Sequence, residues 1–186
     1  MEIIVGISGA SGVQYGIRLL QVLRQKGCTT HLVITDSAAR IIEVETDRLK
    51  KDVEELADHV YHPRDFAAPF ASGSYLFDAM VIIPCSMGTL SAVACGSSDT
   101  LNARAADVCL KEKRRLVMVP RETPLSLVQL RNMVTAAEAG AVILPACPAF
   151  YSRPKNLDDL VDVLVGRVLD LLGVDNDLYR RWNGDA

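Results

Sequence analysis

Arg121 and Glu122 are neighbouring side chains whose types could do chemistry together. They follow a short apolar run at residues 116–119, which predicts a buried strand, and they precede a helix predicted from residue 125. A guanidinium there could clamp a phosphate, and a carboxylate there could hold or move a proton. The alternative is a carboxylate that the helix dipole favours at a helix start, beside a surface arginine.

Small residues fill the loop at residues 6–12, with glycine at positions 6, 9 and 12 and serine at positions 8 and 11. The loop follows an apolar run and opens a predicted helix, an order that points free backbone N–H groups at a bound anion. Ile7 and Val13 stand where a dinucleotide-binding loop needs glycine and a Walker A loop needs lysine. We therefore predict a cradle for one phosphate, the alternative being a plain strand-to-helix turn.

Hydroxyl side chains stand at the ends of two further predicted strands. Thr35 and Ser37 follow one of them, and Ser86 and Thr89 follow the other. With the N–H groups of their turn, the second pair could hold a ring edge or a phosphate, although Ser86 could equally cap the next helix. Cys85 has no nearby histidine in the sequence to activate it, so a buried small thiol is favoured over a nucleophile.

Apolar strands and amphipathic helices alternate along the chain, which predicts an α/β fold with a mostly parallel sheet covered on both faces. Predicted strands lie at residues 2–8, 31–35, 60–61, 79–84, 116–119 and 141–144, and predicted helices at residues 13–25, 37–44, 49–56, 90–94, 101–112, 125–139 and 157–172. The periodicity of the last helix turns Leu157 toward the core. Ligands of such sheets bind beyond the carboxyl ends of the strands, where the loops described above are expected.

Composition and charge narrow the function classes. A length of 186 residues suits one domain over residues 1–186. The net charge of −3 argues against nucleic acid as the main partner. The apolar runs are too short for a membrane span. Five cysteines and three histidines show no metal-ligand spacing, so we predict no metal and a reducing, cytoplasmic setting. The tail, residues 174–186, either reaches a neighbouring subunit or ends loosely.

Many short motifs, in their order and spacing along nearly the whole chain, resemble those of the UbiX-type flavin prenyltransferases. They lie at residues 9–12, 45–47, 71–74, 84–86, 89–91, 104–107, 110–112, 119–122 and 145–151, with an arginine at position 167. The resemblance implies a flavodoxin-like Rossmann fold that binds FMN at subunit interfaces, usually in a dodecamer. It also implies metal-free transfer of a dimethylallyl group from dimethylallyl monophosphate to N5 and C6 of reduced FMN. The product, prenylated FMN, would serve UbiD-type decarboxylases.

The resemblance also implies roles, position by position. FMN would be bound by Gly9, Ala10, Ser11, Gly12, Thr35, Ser37, Ser86, Met87, Gly88, Thr89 and Arg121. The prenyl phosphate would be bound by Arg104, Lys111, Tyr151 and Arg167, several of them from neighbouring subunits. Ser11 would lie beside the reacting flavin, and Glu45 and Glu122 would assist departure of the phosphate and the proton steps.

Three departures and two alternatives accompany this interpretation. Gly88 stands where some family members have lysine, and Phe66 stands where some have tryptophan. Asp36 stands where many family members have lysine, which removes a positive charge near the flavin. An FMN-dependent decarboxylase of similar fold is the first alternative, but its cysteine-type members use a histidine near the first helix, and residues 13–25 contain none. A non-catalytic FMN-binding protein is the second, and the complete set of predicted phosphate-binding residues disfavours it.

Overall fold

Six parallel strands form one sheet in the computed structural model, which describes residues 1–184. The strands are β1 (Glu2–Ile7), β2 (Thr29–Ile34), β3 (His59–Tyr61), β4 (Ala79–Cys85), β5 (Arg115–Pro120) and β6 (Val142–Ile143), in the spatial order β3-β2-β1-β4-β5-β6. In the centre, Val5 of β1 lies opposite Leu32 on one side and Val81 on the other. The predicted flavodoxin-like α/β fold is confirmed. Residues 185 and 186, the end of the predicted tail, lie outside the described residues.

Helices cover both faces of the sheet. They are α1 (Val13–Gln25), α2 (Asp36–Glu45), α3 (Lys50–Glu54), α4 (Met87–Ala94), α5 (Leu101–Lys111), α6 (Leu127–Ala139) and α7 (Leu157–Leu172), with a short 3-10 turn at Pro69–Ala71. Helices α1 and α7 pack together over one face, while α5 and the 3-10 turn pack on the other. Because β1 and β4 are covered on both sides, their sequences are continuous apolar runs rather than alternating ones.

Side-chain caps determine where two helices begin. The apolar periodicity predicted the start of α4 too late and the start of α6 too early. Helix α4 begins at Met87 because Ser86 accepts the N–H of Thr89. Helix α6 begins two residues later than predicted because Ser126 and Gln129 form a capping box. Within residues 1–184, no helix is long and apolar enough to cross a bilayer, and no three His, Cys, Asp or Glu side chains come together as metal ligands.

The start of α7 contradicts the predicted orientation of Leu157. Its side chain is 78 % exposed, whereas the prediction turned it toward the core. Leu157 is the first residue of α7, directly after the capping Asn156, and it lines a cavity beside Ser11 at the carboxyl edge of the sheet. The prediction is wrong because helical periodicity gives the face of a residue but not how far the sheet beneath the helix extends.

Candidate functional site

A cavity of about 630 Å³ opens at the carboxyl edge of the sheet. The turn after β1, the helix α2, the start of α4 and the residues after β5 form its walls. It is lined by Gly9, Ala10, Ser11, Arg40, Ile41, Val44, Glu45, Ser86, Met87, Gly88, Arg121 and Glu122. The structure therefore brings together most of the predicted flavin-binding residues and all three predicted catalytic ones.

Glu45 occupies the N-terminus of α1. Its Oε2 atom accepts the backbone N–H of Gly12 at 2.8 Å and that of Val13 at 3.3 Å. A carboxylate at this position is stabilised by the positive end of the helix dipole. These two N–H groups are therefore not free for a phosphate, and the phosphate cradle predicted for this loop does not describe the start of α1.

The loop that carries Ser11 is anchored from two further sides. Arg121 donates from Nε to the carbonyl oxygen of Ser11 at 3.1 Å. The fully buried Ser8 donates to the carbonyl of Pro84 at 3.0 Å and accepts the N–H of Ser86 at 2.7 Å, which ties the first turn to the turn before α4. Ser11 is thus held at a defined place on the cavity wall by its backbone.

Of α1, α2 and α4, which follow β1, β2 and β4 at this edge, α4 is the one whose first turn has no carboxylate at it. Glu45 fills the start of α1, and Asp36 is the first residue of α2. The first turn of α4 has no acidic residue, and a Cβ atom built on its Gly88 would have no other atom within 4 Å. A ligand can therefore approach the backbone N–H groups of Met87 and Gly88, which makes the start of α4 the strongest position for an anion among these three helices.

Thr35 and Ser37 stand at the start of α2. Thr35 Oγ1 accepts the N–H of Ala38 at 3.2 Å, and the two hydroxyl oxygens lie 3.1 Å apart. Neither residue lines the cavity itself, but a Cβ atom on Gly9 would collide with the Ser37 hydroxyl, so Ser37 stands directly against the loop. Both predicted flavin-binding hydroxyls are therefore beside the cavity rather than in its wall.

The wall of α2 contains residues that the sequence interpretation missed. Arg40, Ile41 and Val44 all line the cavity. They follow Ser37 at the spacing of one helical face, three, four and seven residues later, and this was the signal that could have identified them. The face is polar near the start of the helix and apolar further along it.

Two of the four predicted prenyl-phosphate residues lie on α5 and do not reach the cavity. Arg104 donates to the carbonyl of Ala71 at 2.9 Å and pairs with Asp107 at 2.9 Å. Lys111, at the end of α5, pairs with Glu112 at 2.6 Å. Both cations lie close to the 3-10 turn and the segment after it. Arg104 contacts Ala71 at the end of the turn, and a Cβ atom on Gly73 would touch Lys111 and Glu112.

The other two predicted prenyl-phosphate residues lie beside the end of α7 and the tail. Arg167 donates to Asp170 at 3.2 Å and to the hydroxyl of Tyr179 at 3.4 Å. Tyr151 lies edge-on against Trp182, with ring centres 5.8 Å apart. A single chain therefore carries these four residues in two separate groups, and neither group lines the cavity of about 630 Å³.

A second cavity of about 470 Å³ shares Ser11 and Glu45 with the first. Its other walls include Tyr15 and the exposed Leu157. Burial, and then the neighbouring Cys147, raise the pKa of Tyr15, so its phenol stays protonated at neutral pH and acts as a donor. The cavity combines one phenol and the carboxylates of Glu45 and Asp158 with apolar side chains.

Cys85 is fully buried at the end of β4. Burial strongly raises the pKa of its thiol, because a thiolate would lose its hydration there. The thiolate is the nucleophilic form of cysteine, and it is therefore suppressed at this position. The interpretation of Cys85 as a buried small thiol is confirmed.

Comparison with known proteins gives one consistent picture. The Flavoprotein family model matches residues 1–169. A flavin prenyltransferase UbiX from Thermoplasma acidophilum is 53% identical over 182 residues, which covers 98% of this chain and 100% of that protein. A crystal structure of AnUbiX (PadA1) in complex with FMN and dimethylallyl pyrophosphate superposes with a TM-score of 0.98 at 48% identity, over 100% of this chain and 98% of the other. A dodecameric FMN-dependent UbiX-like decarboxylase from Escherichia coli O157:H7 superposes with a TM-score of 0.96 at 47% identity, over 99% and 100% of the two chains.

Proposed function

This chain belongs to the UbiX family of flavin prenyltransferases, and we propose that it transfers a dimethylallyl group from dimethylallyl monophosphate to reduced FMN. The observation that carries the proposal is the cavity at the carboxyl edge. It combines an uncovered helix N-terminus, a guanidinium from Arg121 and two carboxylates from Glu45 and Glu122. The wall is therefore equipped for an anionic ligand and for proton transfer beside it.

The residues of this cavity fit FMN. A volume of about 630 Å³ is within the usual range for small-molecule sites. The start of α4, with the open space at Gly88, suits the phosphate, and the apolar pair Ile41 and Val44 suits the ring system. When bound in its reduced form, FMN supplies the nucleophilic ring atoms N5 and C6 that accept the prenyl group.

The loop that carries Ser11 and the carboxylates of Glu45 and Glu122 have separate roles in the proposed reaction. Glu45 and Arg121 both bind the peptide group that follows Ser11, so its hydroxyl is held against the ligand without reorganisation. Glu122 is exposed at the cavity and accepts the N–H of Thr123 at 3.0 Å through one carboxylate oxygen. We assign to Glu122 the proton released as the second bond to the ring closes.

The phosphate of the prenyl donor takes the electron pair of the breaking C–O bond, and cations and donors stabilise that charge. Lys111 and Arg104 form one cationic group in each chain, and Tyr151 and Arg167 form the other group of donors. A complete phosphate site therefore requires residues from more than one chain. The dodecameric relative supports a homo-oligomer, and we assign the dodecamer to this chain.

Two further assignments belong to the same proposal. The product would be delivered to UbiD-type decarboxylases, which use prenylated FMN. The cytoplasm would be the site of action, because the five cysteines are all free thiols, as expected in a reducing compartment.

The test is an anaerobic incubation of the full chain with reduced FMN and dimethylallyl monophosphate, followed by mass spectrometry of the flavin. We expect a flavin that has gained one five-carbon unit, and no such product with oxidised FMN. An unchanged flavin mass would contradict the proposal and favour the FMN-dependent decarboxylase, the activity named for the relative from Escherichia coli O157:H7.

A mixing experiment tests whether the phosphate site is shared between chains. Lys111→Ala and Tyr151→Phe should each be nearly inactive alone, and co-assembled oligomers of the two variants should regain activity. The reason is that some sites in a mixed oligomer would receive the intact residue of each kind. Mixed oligomers as inactive as the separate variants would contradict the shared site while leaving the prenyl transfer of the wild-type chain intact.

A further inference from the structure

Arg40 is a cation on the cavity wall to which no role has been assigned. It lies in the middle of α2 and lines the same cavity as Ser11, Gly88 and Arg121. Among residues 1–184, its guanidinium has no hydrogen bond or ion pair. An arginine that faces a cavity without a protein partner keeps its full donor capacity for a ligand.

The other charged groups of the cavity are already engaged. Arg121 donates to the backbone of Ser11, Glu45 accepts two N–H groups of α1, and Glu122 accepts the N–H of Thr123. Arg40 is therefore the charged side chain of the cavity wall that has no hydrogen bond within residues 1–184.

The polarity of α2 indicates which part of a ligand meets Arg40. The start of the helix carries the hydroxyl of Ser37, which stands beside the cavity against Gly9, and Arg40 follows one turn later on the same face and lines the cavity. Ile41 and Val44 then make the face apolar, up to Glu45 at the end of the helix, whose carboxylate binds the start of α1. A ligand with a charged end and a flat apolar end would place its charge toward Ser37 and Arg40 and its ring toward Val44.

We propose that Arg40 binds the phosphate of FMN from the α2 side, opposite the N-terminus of α4, and so makes the site select FMN over phosphate-free riboflavin. This inference rests on the proposed binding of FMN. Guanidinium matches phosphate by two parallel hydrogen bonds, and it keeps its charge at any pH relevant to the protein.

The experiment measures the dissociation constants of FMN and of riboflavin by flavin fluorescence for the full-length wild type, Arg40→Ala and Arg40→Lys. Lys26→Ala is the matched control, because Lys26 is an exposed cation at the end of α1, at the opposite edge of the sheet. We expect Arg40→Ala to weaken FMN binding about 10- to 100-fold, to change riboflavin binding less than about 2-fold, and to reduce the salt dependence of FMN binding. Arg40→Lys should recover part of the loss, and Lys26→Ala should bind both flavins as the wild type does.

Each other outcome contradicts the inference in a distinguishable way. Equal weakening of FMN and riboflavin by Arg40→Ala would assign Arg40 to the ring or to folding rather than to the phosphate. Unchanged affinity for both flavins would remove Arg40 from the site and leave the proposed prenyl transfer standing. A wild-type chain that binds neither flavin would overturn the proposed function together with this inference.

Discussion

Asp170 joins the C-terminal tail to α7, and replacing it by asparagine should release the tail. Its carboxylate accepts two hydrogen bonds from Arg181, at 2.6 and 2.9 Å, and one from the Tyr179 hydroxyl at 2.7 Å. Asn176 adds a further one at 3.0 Å. Burial opposes the charge, but these hydrogen bonds outweigh it and lower the pKa of Asp170 from 3.8 to about 2.

The size of the effect follows from the two pKa values of Asp170. Their difference corresponds to about 2.5 kcal/mol of stabilisation at neutral pH. Since the side chain of Arg181 is 53% exposed, solvent screening reduces this, and we expect about 2 kcal/mol, or roughly a 30-fold change in the tail-opening equilibrium. Because the folded pKa is depressed, the stabilisation is complete above the unfolded value of 3.8 and is lost as the pH falls toward about 2.

Trypsin and the chain's one tryptophan provide the assay. Trypsin cleaves after Arg180 and Arg181 only when the tail opens, so Asp170→Asn should lose the C-terminal residues about 30-fold faster than the wild type at neutral pH. Trp182 is the single tryptophan and packs against Tyr151. Its fluorescence should change in the wild type between about pH 4 and pH 2, as Asp170 becomes protonated.

Asp177→Asn is the control for this experiment, because Asp177 is an exposed carboxylate of the same tail. It should be cleaved within about 2-fold of the wild-type rate. Equal cleavage rates for Asp170→Asn and Asp177→Asn would refute the assignment of Asp170 as the anchor. A wild-type fluorescence signal that stays constant down to about pH 2 would refute the pKa argument independently.

Two further predictions concern the buried histidine and the start of α4. The pKa of His31 is lowered from 6.5, chiefly because burial disfavours its charged form, so its contribution to stability is present above that value and is lost as the pH falls. The urea midpoint of the wild type should therefore drop between about pH 7 and pH 5, and a drop of equal size in His31→Gln would contradict this origin. Gly88→Ala should keep or raise the stability by up to about 1 kcal/mol, since alanine favours the helix, but should weaken FMN binding because the added methyl group projects into open cavity space. Thermal unfolding without flavin measures the stability of Gly88→Ala, and an FMN titration measures its affinity for FMN. An unchanged affinity for FMN would show that the phosphate does not approach α4.

The fold was largely predictable because its elements carry local signals. Apolar runs bounded by small residues predicted the parallel strands, and the apolar face of α1 gave its bounds correctly at Val13–Gln25. Caps were visible as well, since Ser86 was recognised as a possible cap before the structure showed that it is one. Leu157 was assigned to the wrong environment because its exposure depends on where the sheet ends, which is a tertiary property.

Most residues of the site were predictable from the sequence, but the long-range contacts between them were not. Glu45 caps α1 from 33 positions away, and no local pattern in the sequence marks such a pair. The position of Arg40 in the cavity wall depends on which face of α2 meets the loop after β1. The family resemblance implied that several phosphate-binding residues come from neighbouring subunits, but it did not indicate that Lys111 and Tyr151 fall into different groups of one chain.

The ion pairs within a single chain show how a phosphate site shared between chains could form with little loss of stabilising interactions. Lys111 and Glu112 are both partly exposed, and exposed pairs contribute at most about 1 kcal/mol. Arg167 gives Asp170 one hydrogen bond of 3.2 Å, and the same carboxylate keeps its shorter bonds from Arg181. A phosphate bound as proposed would therefore take over Lys111 of one chain and Arg167 of another while Asp170 continues to hold the tail. The residues that would bind the prenyl phosphate are thus paired weakly, and the anchor beside them is paired strongly, which keeps Tyr151 and Trp182 in place as the cations change partners.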